Sequence, residues 1–247
     1  MSVYDRLIAL DGAHNVRDLG GYETRNGGLT RWRSILRGDA LHALSQADIS
    51  TLMDCGLSTV IDLRNPVEIA REANPFDGFE GVHYVNIPMF SALAPVEMMA
   101  AEQVGFDMGH RYCLGLDACQ ATIAEVLTTM AQAPDGIVLF HCSAGKDRTG
   151  IIAALLLANA GVEDATIVED YALTGTISGP LIENLRERAL ARGVAAGLAD
   201  IVLASEPDSM RRALTHLRAE YGGVDRYLLR IGLDPAAISK LRQRMSD

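Results

Sequence analysis

Short runs of consecutive apolar residues alternate along this chain with stretches whose apolar positions recur at helical spacing. Leu57 to Leu63 (LSTVIDL) is short and rich in β-branched residues, which predicts a buried strand. Val82 to Ile87 reads as a further strand ended by Pro88. Ile137 to Phe140, after Pro134-Asp135-Gly136, reads as a short and wholly apolar one. Ahead of these, residues 19 to 37 predict a hairpin. Gly20-Gly21-Tyr22 leads to Asn26-Gly27-Gly28, and Leu29 to Leu36 resume an extended pattern. Asn-Gly favours the positive φ that a tight turn needs. Ser45 opens a short helix, with Asp48 three residues on in the place of a capping-box acid, and Gly56 stops it. Residues 95 to 133 predict mainly helix, with Gly105, Gly109 and Gly115 interrupting the first part. Thr149 to Ala160 predicts an Ala/Leu helix ending at Gly161. From 163 to 246 the pattern is helical, broken at Gly175, Gly179-Pro180, Pro207, Gly222-Gly223 and Pro235. Strands alternating with helices, then a helical tail, predict an α/β fold. The expected form is a single domain over 1–247, with a short central, mostly parallel sheet flanked by helices.

The chain has 247 residues, 49% of them hydrophobic, with a mean hydropathy of +0.12. That supports a folded domain with a sizeable core and excludes disorder as the general state. The formal charge of −10 argues against nucleic acid as a partner, because a phosphate backbone requires a basic surface. A small basic pocket remains compatible with it. Cys55, Cys113, Cys119 and Cys142 are widely spaced and include no CxxC pair, so neither a zinc site nor a disulfide framework is expected. The start, MSVYDRLIALDG, has no signal-peptide core, and the longest apolar stretch, Ile151 to Ala158, is too short to span a bilayer. A reduced, cytoplasmic setting without an integral membrane segment is the expectation.

Candidate chemistry concentrates in Phe140-His141-Cys142-Ser143-Ala144-Gly145-Lys146-Asp147-Arg148-Thr149-Gly150, between a buried strand and an apolar helix. Cys142 falls at the strand's end and Arg148 at the helix's start. The loop between them, Ser143-Ala144-Gly145-Lys146, can turn successive backbone N–H groups into one concavity, and such a nest at a helix N-terminus binds an oxyanion. Gly145 permits backbone conformations that a side chain resists. Arg148 offers a planar fork matched to two phosphate oxygens. A thiol held against a helix N-terminus and a guanidinium loses its proton more easily, and the thiolate is a nucleophile. Attack on phosphorus leaves an oxygen in need of a proton, for which Asp147, inside the same loop, is the candidate general acid.

The run His141 to Gly150 matches the CxxxxxR signature of the protein tyrosine phosphatases, and HCSAGKDRTG resembles the bacterial branch that carries Lys-Asp before the arginine. Asn15-Val16-Arg17-Asp18-Leu19-Gly20-Gly21, Arg33-Ser34 with Arg37, Val60-Ile61-Asp62-Leu63-Arg64, and the tail from Met210 through Tyr221-Gly222-Gly223 to Tyr227-Leu228 are similar to that branch too. The resemblance spans roughly residues 14 to 230. It implies a phosphomonoester hydrolase that needs neither metal nor other cofactor and works through a phosphocysteine on Cys142. The implied substrates are a phosphorylated protein, at tyrosine or at serine and threonine, or a phosphoinositide. It also implies the loop aspartate, Asp147, as acid, with Lys146 and Asp62 in the phosphate pocket, and a helical lid that residues 176–215 can form.

Plainer readings compete at several of these positions. A nucleotide-binding P-loop needs Gly where Phe140 stands and Ser or Thr where Asp147 stands, which excludes it. Asp147 could merely pair with Lys146 or another arginine, and Asp62 could be a strand-end cap or a partner of Arg64. His141 is expected to fix the loop through a backbone hydrogen bond. Arg17 and Arg37 are open between the site's entrance and plain surface charge. The other cysteines are expected as small buried residues. Two other functions use a similar loop: a catalytically silent phospho-binding module and a rhodanese-like sulfurtransferase. The joint presence of Cys142, Asp147 and Arg148 disfavours the first, and the Lys146-Asp147-Arg148 run disfavours the second.

Overall fold

Three strands, β2 (Ile35–Gly38), β3 (Leu57–Asp62) and β5 (Ile137–His141), form the parallel centre of the sheet, and every residue of them but Ser58 is buried. The structure is a computed structural model that describes residues 6–91, 93 and 107–246. An antiparallel edge, β1 (Arg17–Asp18), joins β2, and β4 (His83–Asn86) joins β3 in parallel, which makes the order β1-β2-β5-β3-β4. This is the expected α/β fold, a single domain with a mostly parallel sheet.

Alternation along the strands divides the interior in two. Ile35, Ile61, Val138 and Phe140 face one core, and Leu36, Val60, Ile137 and Leu139 face the other. Successive side chains of a strand point to opposite faces, so near-continuous apolar runs supply both. The second core is closed by α1 (Gln46–Asp54), which Ser45 and Asp48 start with a reciprocal capping box. The first is the larger. It is built from α3 (Met108–Ala118), α4 (Gln120–Gln132), α5 (Asp147–Asn159), α6 (Asp164–Ile177), α9 (Pro207–Tyr221), α10 (Val224–Arg230) and α11 (Pro235–Met245). α5 is apolar almost all round and is correspondingly buried beneath its neighbours. α2 (Pro66–Arg71) and α7 (Gly179–Ala191) lie outside the cores, and α8 (Ala196–Leu203) only lays Leu198 and Val202 against the first. Of these three only α8 carries a buried residue, Ala199.

Register places the ends of the central strands side by side, with Gly38 opposite His141 and Asp62 opposite His141. The segments that follow all three strands therefore leave the sheet together, at the edge where a parallel α/β sheet offers a crevice.

Several boundaries differ from the sequence expectation. The 19–37 hairpin is paired at its base, Arg17 with Arg37, and bridged again near its tip, Glu23 with Leu29. Of its turn residues Gly27, not Asn26, takes the positive φ. Gly109 and Gly115 do not interrupt a helix but lie inside α3, and Gly175 lies inside α6. The reason at 115 is close packing. A Cβ there would stand 2.6 Å from Cε1 of Phe90, so the helix needs glycine to admit the ring. The part of the predicted 95–133 helical stretch before residue 107, with Gly105, lies outside the described residues.

Gly115→Ala should consequently destabilise the fold by about 1–3 kcal/mol through overpacking. Urea unfolding would read this as a lower midpoint at unchanged slope. Native stability in the variant would show that the Phe90 ring is free to move aside.

Candidate active site

β5 ends at His141 and α5 begins at Asp147, so residues 142–146 form the turn expected between strand and helix. Cys142 heads it and is 2% exposed. The carbonyls of the turn are all engaged. Ser143 O accepts from Ala40 N (3.1 Å), Ala144 O from Asn15 Nδ2 (2.9 Å) and Gly145 O from Arg37 Nη2 (2.7 Å). Its amides are not: among the described residues, no protein acceptor meets the N–H groups of Ser143 to Arg148. α5 has no side-chain cap either. A row of unsatisfied donors at a helix N-terminus is an oxyanion cradle. Gly145 takes φ +67°, and a Cβ there would lie 2.6 Å from Gly38 O and 2.7 Å from Asn15 Nδ2. The turn is therefore pressed against β2 at a point where only glycine fits.

Arg148 points across the turn to Glu68 on α2 in a two-pronged pair. Nη1 to Oε2 and Nη2 to Oε1 are both 2.7 Å. Glu68 also accepts from the Ser143 hydroxyl, and at 2.8 Å from the Asn65 amide in a capping box. Burial alone would raise the Glu68 carboxyl, but its bonds to Arg148 and Ser143 outweigh that and hold it at about 2. Burial likewise works against the Arg148 charge and is outweighed by Glu68, so the guanidinium sits above its ordinary range. Nε of Arg148 makes no hydrogen bond among the described residues.

Asp147 stands at the first position of α5 with a quarter of its side chain exposed. The Tyr112 hydroxyl donates to its Oδ1, and Tyr112 in turn meets the Tyr171 hydroxyl at 2.7 Å. Burial, then the neighbouring Asp147, keeps the Tyr112 phenol far above its ordinary range, so it remains a donor. One carboxylate oxygen of Asp147 is thus anchored from below. Asp147 and Arg148, together with Glu68, Asn65, Ser91 and Arg111, form the polar lining of a 560 Å³ cleft. Met89, Phe90, Leu93, Met108 and Val202 line the apolar remainder. Phe90 adopts φ +69°, a left-handed conformation that a bulky residue rarely takes, and Arg111 lies 5.8 Å from its ring centroid.

Two expected pocket residues stand elsewhere. Asp62 is fully buried and lies outside the cleft. Its carboxylate is gripped by Arg64 (Nη2 to Oδ2, 2.7 Å), by Asn74 (3.1 Å) and by the Arg64 amide (3.0 Å). Burial would raise this carboxyl too, but His141, Arg64 and Asn74 hold it at about 2, so it has no proton to give at neutral pH. Lys146, expected to face substrate, is 1% exposed. Its Nζ donates to the carbonyls of Val202 and Ala204 (2.8 Å to the latter) at the end of α8, and lies 3.2 Å from Asp147 Oδ1. An ammonium matches the unsatisfied carbonyls of a helix C-terminus, and that demand outcompetes the loop for it.

His141 behaves as expected. Nδ1 donates to Cys142 O at 3.1 Å and Nε2 accepts from Asn74 at 2.8 Å, an arrangement of the neutral ring that its burial favours. Arg17 and Arg37 are neither entrance nor surface but wholly buried. Glu68, Tyr112, Tyr171 and Phe90 were not singled out by sequence. A signal existed only for Glu68, whose Asn65-Pro66-Val67-Glu68 run reads as a capping box, though not as an arginine partner. Among the described residues no group of three or more His, Cys, Asp or Glu is arranged to hold a metal ion, and no helix is long and apolar enough to cross a membrane.

A family model described as the tyrosine phosphatase family matches residues 8–247. A tyrosine-protein phosphatase of Nostoc commune is 32% identical over 213 residues, covering 83% of this chain and 71% of that protein. A putative tyrosine-protein phosphatase of Cupriavidus necator is 27% identical over 226 residues, covering 90% and 82%. The triple specificity protein phosphatase PtpB of Mycobacterium tuberculosis is 28% identical over 275 residues, covering 94% and 96%.

The Glu68–Arg148 pair generates a pH dependence. Glu68 titrates near 4.5 when unfolded and near 2 when folded. A depressed acid stabilises the fold above its unfolded value and loses that contribution as pH falls through the folded one. Stability should fall between about pH 4.5 and 2. Glu68→Gln should lower stability at neutral pH and flatten that decline, as read by urea midpoints across the range. An unchanged acid limb would mean that the pair contributes nothing net.

Proposed function

This chain belongs to the tyrosine phosphatase family, and on that premise we propose that it hydrolyses phosphotyrosine through a phosphocysteine formed on Cys142. It is a phosphoric monoester hydrolase of the protein-tyrosine-phosphatase type. The observation that carries the finer reading is the row of unpartnered amides from Ser143 to Arg148, headed by Cys142 and opening beside a cleft that Asp147 and Arg148 line.

In the first step the Cys142 thiolate attacks phosphorus, an S–P bond forms, and the ester O–P bond breaks. Asp147 gives the leaving oxygen its proton. In the second, water attacks phosphorus, Asp147 takes the proton back, and the S–P bond breaks to restore the thiolate and release phosphate. The amides of Ser143, Ala144, Gly145 and Lys146 and the Arg148 guanidinium meet the equatorial oxygens, whose charge is the main thing to be stabilised in phosphoryl transfer. No step draws on a metal or cofactor. The two displaced expectations change the assignment: neither Asp62 nor the Lys146 side chain is given a role on phosphate.

Substrate choice rests on the cleft. Its wall of Met89, Phe90, Leu93 and Met108 suits the ring of phosphotyrosine. The name of the M. tuberculosis relative supports adding phosphoserine or phosphothreonine in protein, or a phosphoinositide, as further substrates. The partner is accordingly a phosphorylated protein or lipid. We place the activity in the cytoplasm, since Cys55, Cys113, Cys119 and Cys142 are thiols rather than disulfides and the mechanism needs one reduced. For the whole span 1–247 we propose one catalytic domain with a lid narrower than 176–215. Residues 207–215 belong to α9, which buries Met210, Ala213 and Leu214 in the core. α7 and α8 bury fully only one residue, Ala199, and the end of α8 is tied to the loop by Lys146, which supports a lid over 179–203.

Cys142→Ser should abolish turnover of p-nitrophenyl phosphate and phosphotyrosine while retaining phosphate binding. Substantial remaining hydrolysis on folded protein would remove Cys142 as nucleophile. A variant that binds but a native chain that never turns over would favour the silent phospho-binding reading.

Asp147→Asn keeps size and removes the proton. Its loss in kcat/KM should grow with the pKa of the leaving alcohol and be smallest for nitrophenolate. Equal losses for all leaving groups would make Asp147 an electrostatic residue rather than the acid.

A further inference from the structure

Behind the loop, away from the cleft, lies a sealed polar cluster that the reaction scheme does not use. Asn15, Arg17 and Arg37 are 0% exposed and Asp170 1%. Arg17 and Arg37 are register partners on β1 and β2. Two cations directly opposite one another on neighbouring strands repel, and burying them adds a desolvation cost. A fold seeking only stability would place apolar residues there. The repulsion is relieved by Asp170 of α6, whose Oδ1 accepts from Arg17 Nε (3.1 Å) and the Tyr22 hydroxyl (2.9 Å), and whose Oδ2 accepts from Arg37. Asn15 joins through its side-chain oxygen, which accepts from Arg17.

The cluster turns its remaining donors on the loop. Asn15 Nδ2 takes Ala144 O and Arg37 Nη2 takes Gly145 O. In a planar trans peptide the C=O and the following N–H point in opposite directions. Pulling the carbonyls of residues 144 and 145 towards β1 and β2 therefore aims the amides of Gly145 and Lys146 away from them, to the side where no protein acceptor meets them. The cluster also holds two arginines against one aspartate. Burial lowers Arg17 most, yet leaves it at about 10, and Asp170 is held at about 2, so both are charged at neutral pH. One positive charge in excess thus lies behind the cradle.

We propose that Asn15, Arg37 and Asp170 are positioning residues that aim the loop amides and set the loop's affinity for phosphate, without touching substrate themselves. Asp170 acts at one remove, by fixing the Arg37 guanidinium so that its second nitrogen reaches Gly145. This rests on the phosphatase reading above.

Asn15→Ala and Arg37→Met test it. Asn15→Ala removes a loop donor with no change of charge. Arg37→Met removes the other donor but leaves Arg17 and Asp170 as a balanced pair with the like-charge repulsion gone, so this variant has reason to stay folded. Each is taken through thermal melting, then titrated with inorganic phosphate by calorimetry, and its rate of Cys142 alkylation is followed against pH. Loss of one hydrogen bond that supports binding of a charged ligand corresponds to about tenfold or more in affinity. Phosphate affinity and kcat/KM should both fall by at least that factor in folded protein, and the alkylation profile should move to higher pH. Phosphate affinity and alkylation profile like those of the native chain in either folded variant, whatever its melting temperature, would overturn the proposal and leave the cluster a purely structural one. Failure of the native chain to bind phosphate at all would instead overturn the phosphatase reading beneath it.

Discussion

A loop that must present consecutive amides to one anion has to send its carbonyls the other way, and buried carbonyls require donors. Much of the architecture around residues 142–148 answers that demand. Ala40, Asn15 and Arg37 come from the turn after β2, from the segment before β1 and from β2 itself, and they supply one donor each to Ser143, Ala144 and Gly145. They can do so because β2 runs parallel to β5 with Gly38 opposite His141, which brings the two strands' exits to the same edge. Gly145 lies against Gly38, and a Cβ on Gly145 would stand 2.6 Å from the Gly38 carbonyl oxygen. The cradle is thus a product of strand register as much as of the loop's own residues.

Arg148 is governed from the other side of β5. β3 exits beside His141 as well, and the capping box that starts α2 places Glu68 under the Arg148 fork. One carboxylate therefore closes a helix start, grips the guanidinium and takes the Ser143 hydroxyl. On the function proposed above, phosphate entering the loop meets a guanidinium already oriented, with little side-chain freedom left to lose, which is the usual benefit of preorganisation. Asp62, by contrast, spends its charge inside the β3 exit, keeping Arg64 and Asn74 in place and, through Asn74, the tautomer of His141.

α6 links the two halves of the site. Asp170 and Thr174, one turn apart, serve the cluster behind the loop, with the Thr174 hydroxyl 3.3 Å from Asn15 Nδ2. Tyr171, on an adjacent part of the same buried face, meets Tyr112 and so reaches Asp147. A shift of this helix would disturb the amide cradle and the anchoring of Asp147 together. Lys146 extends the linkage outward, tying the loop to the end of α8.

Local chemistry made much of this legible from the chain alone. Apolar runs named β3, β4 and β5, Ser45 and Asp48 named the start of α1, and the strand–loop–helix setting of His141 to Gly150 located the cradle, because each of these signals acts between residues close in sequence. Packing overruled local propensity at Gly109, Gly115 and Gly175, where a helix continues through a residue that would weaken it in isolation. The destination of a long charged side chain was decided only by the tertiary structure. Lys146 and Asp62 have the composition of pocket residues, but one meets helix-end carbonyls and the other a guanidinium, and those partners are 56 and 2 residues away in ways that no spacing distinguishes. Arg17 and Arg37 read as entrance residues or surface charge until Asp170, 153 and 133 residues distant, closes over them. A side chain's intrinsic chemistry is written at its own position. Which of several competing donors or acceptors it meets depends on distances between segments, and those exist only once the sheet has assembled.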